Sequence, residues 1–420
     1  MKALTKISIG FLALAAAALW FTSCSSEDVA SGTNQGKMSS LTLTINTGKS
    51  MGSRATDWTT DPAGSDKTTT ENKINRVAIG IFSNAGAVKT IVELTPGTAG
   101  TNSLTQADAN NATAKIVTSS LVANDEVLVA INAPSGRFTG CQSKSDFMAK
   151  TETAAEALAK STDAQVADNI PMFGSASLTG SNSSFTASVS VIHMIAKVSL
   201  TSLKVDFKAG SAYADAEFTP KAVFLINVPN SFQFDNTTDT NGDLKAWLSA
   251  GYEHGWGTFA TNYDANTENS SASATFTGST FAKYLTTTEL TGKTLKGVAG
   301  GSDDTYDKQV YFYTMPNGKA DNNATKLVIA GLFKATGVPE KVVYYPLFLN
   351  ATVNSTGTGY DPAVSGSVAK KVYPNKNYNC TVVIRNIGAD SPNTNLDPQT
   401  ATISISVTDF VPANQTTEFN

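Results

Sequence analysis

Side chains able to do covalent or acid–base chemistry are scarce in this chain of 420 residues: two histidines, His193 and His254, and three cysteines, Cys24, Cys141 and Cys380. Ser-His-Asp hydrolysis needs a histidine beside a nucleophile held on a sharp turn. No nucleophile-elbow, phosphate-loop or dinucleotide fingerprint stands in the strand–turn–helix setting it requires. A His-rich metal centre and a disulfide framework both lack material. Oxygen ligands alternate along Asp239-Thr240-Asn241-Gly242-Asp243 as in a calcium loop. The glycine offset is wrong, however, and no glutamate closes the loop, so an Asn-Gly turn accounts for the pattern. Asp303, Asp304 and Asp307 lie in a Gly-rich stretch that reads as a solvated loop. Gly251-Tyr252-Glu253-His254-Gly255-Trp256-Gly257 gathers aromatic rings that could stack on a sugar. Trp is so often buried that packing of this long loop on its own domain is the stronger reading. The expectation is a protein that is not an enzyme and uses no cofactor and no metal.

Charge narrows the partners. Lys+Arg is 31 against Asp+Glu 35, a net charge of -4, which excludes a basic nucleic-acid-binding surface. Charged residues are 16% of the chain and hydrophobic residues 41%, so cores can form and Thr, Ser and Asn supply the surface polarity. The reactive residue with the clearest setting is Cys24. Lys2 and Lys6 precede an apolar stretch from Ile7 to Phe21, too short to span a bilayer with flanks, and it ends in Phe21-Thr22-Ser23-Cys24. A small residue before Cys after such a run resembles the lipobox of bacterial lipoproteins. The resemblance implies that residues 1–24 are an export signal and that Cys24 becomes the lipidated first residue. Ser25, Ser26, Glu27 and Asp28 resemble the acidic surface-export signal of Bacteroidales lipoproteins, and residues 25–37 read as a polar tether. Cys141 and Cys380 are expected to be buried, unpaired thiols.

The elements beyond the tether read as strands. Leu41-Thr42-Leu43-Thr44-Ile45-Asn46 alternates apolar and polar, a strand with one buried face. Val77 to Phe82 and Val127 to Asn132 are near-continuous apolar runs suited to central strands. Ser145 to Ala167 breaks the period with Ala, Glu, Lys and Leu and predicts one short helical insertion ended before Pro171. Strands resume at Ser184 to Val205, and Lys208-Ala209-Gly210-Ser211 suggests a domain boundary near residue 210. Ala222 to Val228, Val310 to Tyr313, Lys326 to Phe333, Lys341 to Leu349, Tyr378 to Ile387 and Ala401 to Val411 are further strands. The fold class is all-β, with an N-terminal domain at 38–210 and a C-terminal domain at 211–420.

Several runs then stand in a telling order: Ile170-Pro171-Met172-Phe173-Gly174, Ala196-Lys197-Val198, Val223 to Pro229, Phe312-Tyr313-Thr314-Met315-Pro316-Asn317, and Tyr373-Pro374-Asn375-Lys376-Asn377-Tyr378 before Thr381 to Arg385. Together with the lipobox they resemble the fimbrillin family, the subunits of type V pili of Bacteroidales. That resemblance implies two transthyretin-like β-sandwich domains in tandem, display at the outer membrane and cell surface, and a place in a fimbria. It further implies that an Arg-specific protease removes the first strand, residues 38–54, and that a donor strand of another copy fills the opened groove.

The residues carry matching parts. The removable strand presents Leu41, Leu43 and Ile45. The loop Thr47-Gly48-Lys49-Ser50-Met51-Gly52-Ser53-Arg54 offers a cut between Arg54 and Ala55, with Lys49 as the alternative. Near the C-terminus, strand 401–411 presents Ile403, Ile405 and Val407 at the same period. From alternation alone, ordinary strands of their own domains are the favoured reading; with the loop and the family order added, the donor reading is favoured. The expected partners are other copies or related pilus subunits, the maturation protease, and the membrane through the precursor's lipid. The alternative is a surface lipoprotein adhesin, monomeric or at a tip or anchor, that binds a host glycan or protein.

Overall fold

The computed structural model describes residues 38–47, 71–108, 110–161, 164–165, 168–248, 251–253, 256–259, 293–298, 300–306, 310–356, 359–396 and 401–409. The first half lays down β1 (Met38–Asn46), β2 (Val77–Phe82), β3 (Val88–Leu94), β4 (Ser103–Gln106), β5 (Asn111–Ser119) and β6 (Glu126–Ile131). A short insertion follows, α1 (Lys144–Met148), β7 (Thr151–Thr153) and α2 (Ala154–Leu158). Then come β8 (Met172–Ser177), β9 (Thr179–Ser181), β10 (Ser184–Ser190) and β11 (Ile192–His193). Two five-stranded sheets result, in the orders β9-β10-β1-β5-β4 and β11-β8-β6-β2-β3. Leu41, Leu43, Ile45, Ala114, Ile116 and Val189 of the first meet Ile79, Ile81, Val127, Val129 and Met172 of the second in one apolar interior.

Burial follows the sequence patterns. β1, β5 and β10 alternate buried and open positions because one face of their sheet looks outward. β2 is buried at all six positions. Its second face is covered by the insertion and the second half, where Phe82, Leu128, Ala130 and Phe173 join Phe138, Phe147, Phe232 and Phe234. Phe138 stacks on Phe147 at 3.9 Å and meets Phe234 edge-on at 5.4 Å.

The helical run from 145 to 167 is divided. Ser143 caps α1 through its Oγ, which accepts from the Asp146 N–H at 3.1 Å. The chain then breaks helix at Thr151–Thr153 to pair with β14 (Ser231–Gln233) in the second half. The ladder and the burial of Phe147 and Leu158 on opposite sides of the break override local helix preference.

The second half adds β12 (Ala196–Val205), β13 (Glu217–Ile226), β14, β15 (Trp256–Phe259), β16 (Leu295–Lys296), β17 (Thr305–Tyr306), β18 (Val310–Thr314), β19 (Lys326–Ala335), β20 (Val338–Phe348), β21 (Lys376–Ile384) and β22 (Ala401–Asp409). One sheet runs β17-β12-β21-β22, with β18 also on β12; the other runs β15-β13-β19-β20, with β16 also on β13. Val198, Leu200, Phe312, Tyr378 and Val382 pack against Phe218, Val223, Leu327, Ile329 and Tyr345.

Strand partners change between His193 and Ala196, ahead of the boundary expected near 210. The Lys208–Ser211 turn instead joins β12 to β13 across the two sheets of the second half. Met194 and Ile195 at the switch are fully buried, so no polar linker marks it. The interiors are not wholly separate either: the first sandwich keeps its own interior, while the apolar cluster of the second runs on to the outer face of β2 and β6.

Candidate functional site

β1 lies inside its sheet, parallel to β10 on one side and antiparallel to β5 on the other. The register sets three cross-strand rows: Phe185-Leu41-Ile116, Ala187-Leu43-Ala114 and Val189-Ile45-Ala112. Leu41, Leu43 and Ile45 are all 0% exposed. Taking β1 away would uncover apolar side chains and two unpaired strand edges at once, where an ordinary edge strand would leave one.

Both ends of the chain that follows β1 hang on one residue. The Thr47 N–H donates to the Asn110 carbonyl at 2.8 Å, and Asn72 Nδ2 donates to Asn110 Oδ1 at 2.7 Å. Thr47 and Asn72 are therefore held beside one another. The chain at Glu71 is strongly fixed. The Glu71 carboxylate accepts from Lys197 Nζ and from the Tyr313 hydroxyl, each at 2.6 Å. His193 Nε2 lies 3.1 Å from the Glu71 carbonyl, and Lys197 Nζ stands 4.5 Å from the centre of the Tyr311 ring. Burial pushes the His193 pKa down, and burial and the Glu71 charge push that of Tyr313 well up. The imidazole and the phenol are thereby held neutral around one ion pair.

At the other end of the chain, β22 is the terminal strand of its sheet and pairs along β21. Ile403, Ile405 and Val407 stand opposite Val382, Cys380 and Tyr378, and Ile405 is buried. The connection from β21 to β22 crosses to the second sheet instead of turning straight back. Tyr345 Oη donates to the Asn386 carbonyl at 2.9 Å, and Tyr344 and Ala389 exchange both backbone hydrogen bonds at 2.8 and 2.9 Å. Lys326, 1% exposed, then reaches the Asn393 carbonyl at 3.2 Å and Asn395 Oδ1 at 2.8 Å. Burial and the Lys370 charge lower the Lys326 pKa to about 8.

The remaining candidates resolve plainly. Asp239 Oδ1 accepts the N–H groups of Asn241 and Asp243 at 2.8 and 3.0 Å, an Asx-type turn whose backbone bonds keep the carboxyl below its usual range. Asp304 is buried rather than solvated and is held by the Gly300 N–H and the Thr305 hydroxyl. Among the described residues no group of His, Cys, Asp or Glu stands where it could hold a metal ion. Cys141 and Cys380 are buried and unpaired. Trp256–Phe259 pairs with β13 as a sheet edge. Cys24, Ser25, Ser26, Glu27, Asp28, Lys49, Arg54, Ala55, His254 and Asp307 lie outside the described residues. The roles of Glu71, Asn110 and Lys326 carry no local signal, because each depends on partners far along the chain.

No family model matches the chain, and no curated protein does either. Solved structures do. A candidate cell-adhesion protein of Bacteroides eggerthii is similar at 17% identity and a TM-score of 0.54, over 89% of this chain and 96% of that one. A second, of Parabacteroides distasonis, is similar at 13% identity and a TM-score of 0.56, over 90% and 98%. A fimbrilin of Porphyromonas gingivalis is similar at 15% identity and a TM-score of 0.52, over 90% and 99%. The chain has the fold these proteins share, the all-β fold that the fimbrillin resemblance implies.

Proposed function

We propose that the protein is a structural subunit of a cell-surface fimbria that polymerises by strand replacement and thereby supports adhesion. The observation that carries this reading is the position of β1: an interior strand whose three aliphatic side chains are fully buried, with Thr47 just after it and Asn72 further along the chain both bonded to Asn110. A cut between Arg54 and Ala55 severs β1 from the chain and leaves the fold behind Glu71 in place. Its three aliphatics are worth about 5–9 kcal/mol gross at roughly 1.5–3 kcal/mol each, so an empty groove is costly and a replacement strand is strongly favoured. Ile403, Ile405 and Val407 of another copy repeat the apolar period of Leu41, Leu43 and Ile45. The intact precursor has no vacant groove, so cleavage is the switch. Lipidation at Cys24 and the Ser25–Asp28 signal would bring the precursor to the outer membrane and its surface before the cut. The likeness in fold to a fimbrilin and to candidate adhesion proteins supports the same reading.

Arg54→Ala tests it. The variant should be exported and folded yet stay monomeric, while N-terminal sequencing of wild-type filaments should begin at Ala55. Polymer ladders from Arg54→Ala with residues 38–54 still attached would overturn the mechanism; wild-type protein that is never cut and stays monomeric would favour the adhesin.

A further inference from the structure

If β22 leaves its own sheet to serve a second copy, the chain must bend somewhere between β21 and β22. The register places Ala401 opposite Ile384, so the connecting residues leave and return at one end of the ladder. A slack loop would let the whole stretch from Arg385 onward swing free. Over its described residues, 385–396, the connection is tightly held. Arg385 Nε meets Asp206 at 3.3 Å, Asn386 is held by Tyr345, and Ala389 pairs by backbone with Tyr344. Gly388 lies so close that a Cβ would stand 2.7 Å from the Tyr344 carbonyl oxygen, so the contact requires glycine. The last polar anchor before β22 among the described residues is Lys326, whose stem is buried and whose ammonium stands 4.8 Å from the centre of the Phe348 ring; Leu396, next in the chain after Asn395, packs on the apolar cluster. β22 itself is held at the end of its sheet by the β21 ladder.

The geometry points to Lys326 as the fixed point of the C-terminal arm: residues 385–396 stay on the body during strand exchange, and the arm pivots beyond Leu396. This rests on the strand-exchange reading and adds a distance to it. Seven residue steps lead from Leu396 to Ile403, an extended reach of about 23 Å. A neighbouring copy must therefore present its groove within that radius of Leu396. A connection that peeled away from Arg385 would lengthen the tether and dilute the effective concentration of the donor.

Two disulfide locks separate the outcomes. Tyr344→Cys with Ala389→Cys joins a backbone-paired couple, for which about 5.5 Å between Cα atoms suits a disulfide. It ties the connection to the body. Val383→Cys with Thr402→Cys, a register pair, ties β22 to β21. Each is assayed oxidised and reduced, so that a folding defect shows in both states. We expect the oxidised Tyr344–Ala389 lock to polymerise as its reduced form does, and the oxidised Val383–Thr402 lock to remain monomeric. Failure of both oxidised forms means that the connection must leave, which overturns the pivot and keeps strand exchange. Polymerisation of both means that β22 never leaves, which overturns strand exchange and the pivot with it. In the unassembled subunit, Lys326→Met should let the amides of 393–395 exchange with deuterium as fast as those of 401–409, and Lys326→Arg should restore protection. Unchanged protection in Lys326→Met would remove Lys326 from the role.

Discussion

The Glu71 carboxylate and the Lys197 ammonium meet at 2.6 Å in the interior although 126 positions separate them. The pair fixes Glu71 to β12, the strand that opens the second half. On the strand-exchange proposal, proteolysis upstream would free β1 without loosening the retained body.

Breaking that pair from one side should be far worse than removing it whole. Glu71→Ala leaves a buried cation and a buried phenol without their acceptor, a loss of about 3–5 kcal/mol for a pair of this kind. Glu71→Leu combined with Lys197→Met removes both charges and should cost well under the sum of the single changes. Urea unfolding of the intact precursor measures both.

Leu43 should matter only before cleavage. Leu43→Ala empties a fully buried site and should destabilise the precursor by about 2–5 kcal/mol, whereas Thr44→Ala, on the open face of β1, should stay within about 0.5 kcal/mol. Once the strand has been released, filaments from the Leu43→Ala subunit should melt like wild type. A filament that melts early would mean β1 is still in place.

Glu152 predicts a pH dependence. It is 0% exposed on β7, and neither carboxyl oxygen has a hydrogen-bond partner among the described residues. Burial, then the Glu156 charge, raises its pKa well above the ordinary 4.5. A carboxyl whose folded pKa is raised contributes its full stability below the unfolded value and loses it as pH climbs through the folded value. Glu152→Gln, neutral throughout, should match wild type near about pH 4 and overtake it towards about pH 8. Parallel curves of melting temperature against pH would show that Glu152 does not titrate in the fold.

Alternation made the two strands of the proposed exchange legible: Leu41-Thr42-Leu43 and Ile403-Ser404-Ile405 announce one apolar face each, and β1 and β22 lie there. The half-to-half switch was not legible. Met194 and Ile195 continue the apolar pattern through it, and the Gly-Ser turn that looked like a linker serves equally well inside a sandwich. The Ala-rich run could not reveal that Thr151–Thr153 is claimed by Ser231–Gln233, a partner much later in the chain. Glu71 sits in a Thr-rich stretch with nothing to mark it, because Tyr313 is 242 positions away. Contacts of that separation come from topology, not from local spacing.

The C-terminal strand supplies the most direct test of which face does the joining. In its own sheet Ile405 is buried opposite Cys380, and in the sequence Ser404 alternates with the apolar Ile403 and Ile405. If the same face plugs the vacated groove, Ile405 would replace one of the β1 aliphatics, between rows such as Ala187 and Ala114, where small partners leave room for a branched side chain. Ile405→Asp would put a carboxylate into that apolar interior without a partner, which a groove cannot accommodate unless the group stays protonated. Ser404→Asp would leave its charge in water. Both precursors carry the change at the sheet edge, so folding of the unassembled subunit is measured first by circular dichroism and thermal melting. Cleaved subunits are then mixed and resolved by size. Ile405→Asp should leave monomers under conditions where Ser404→Asp yields ladders close to wild type. Equal ladders from the two would show that the groove does not read this strand by its apolar face.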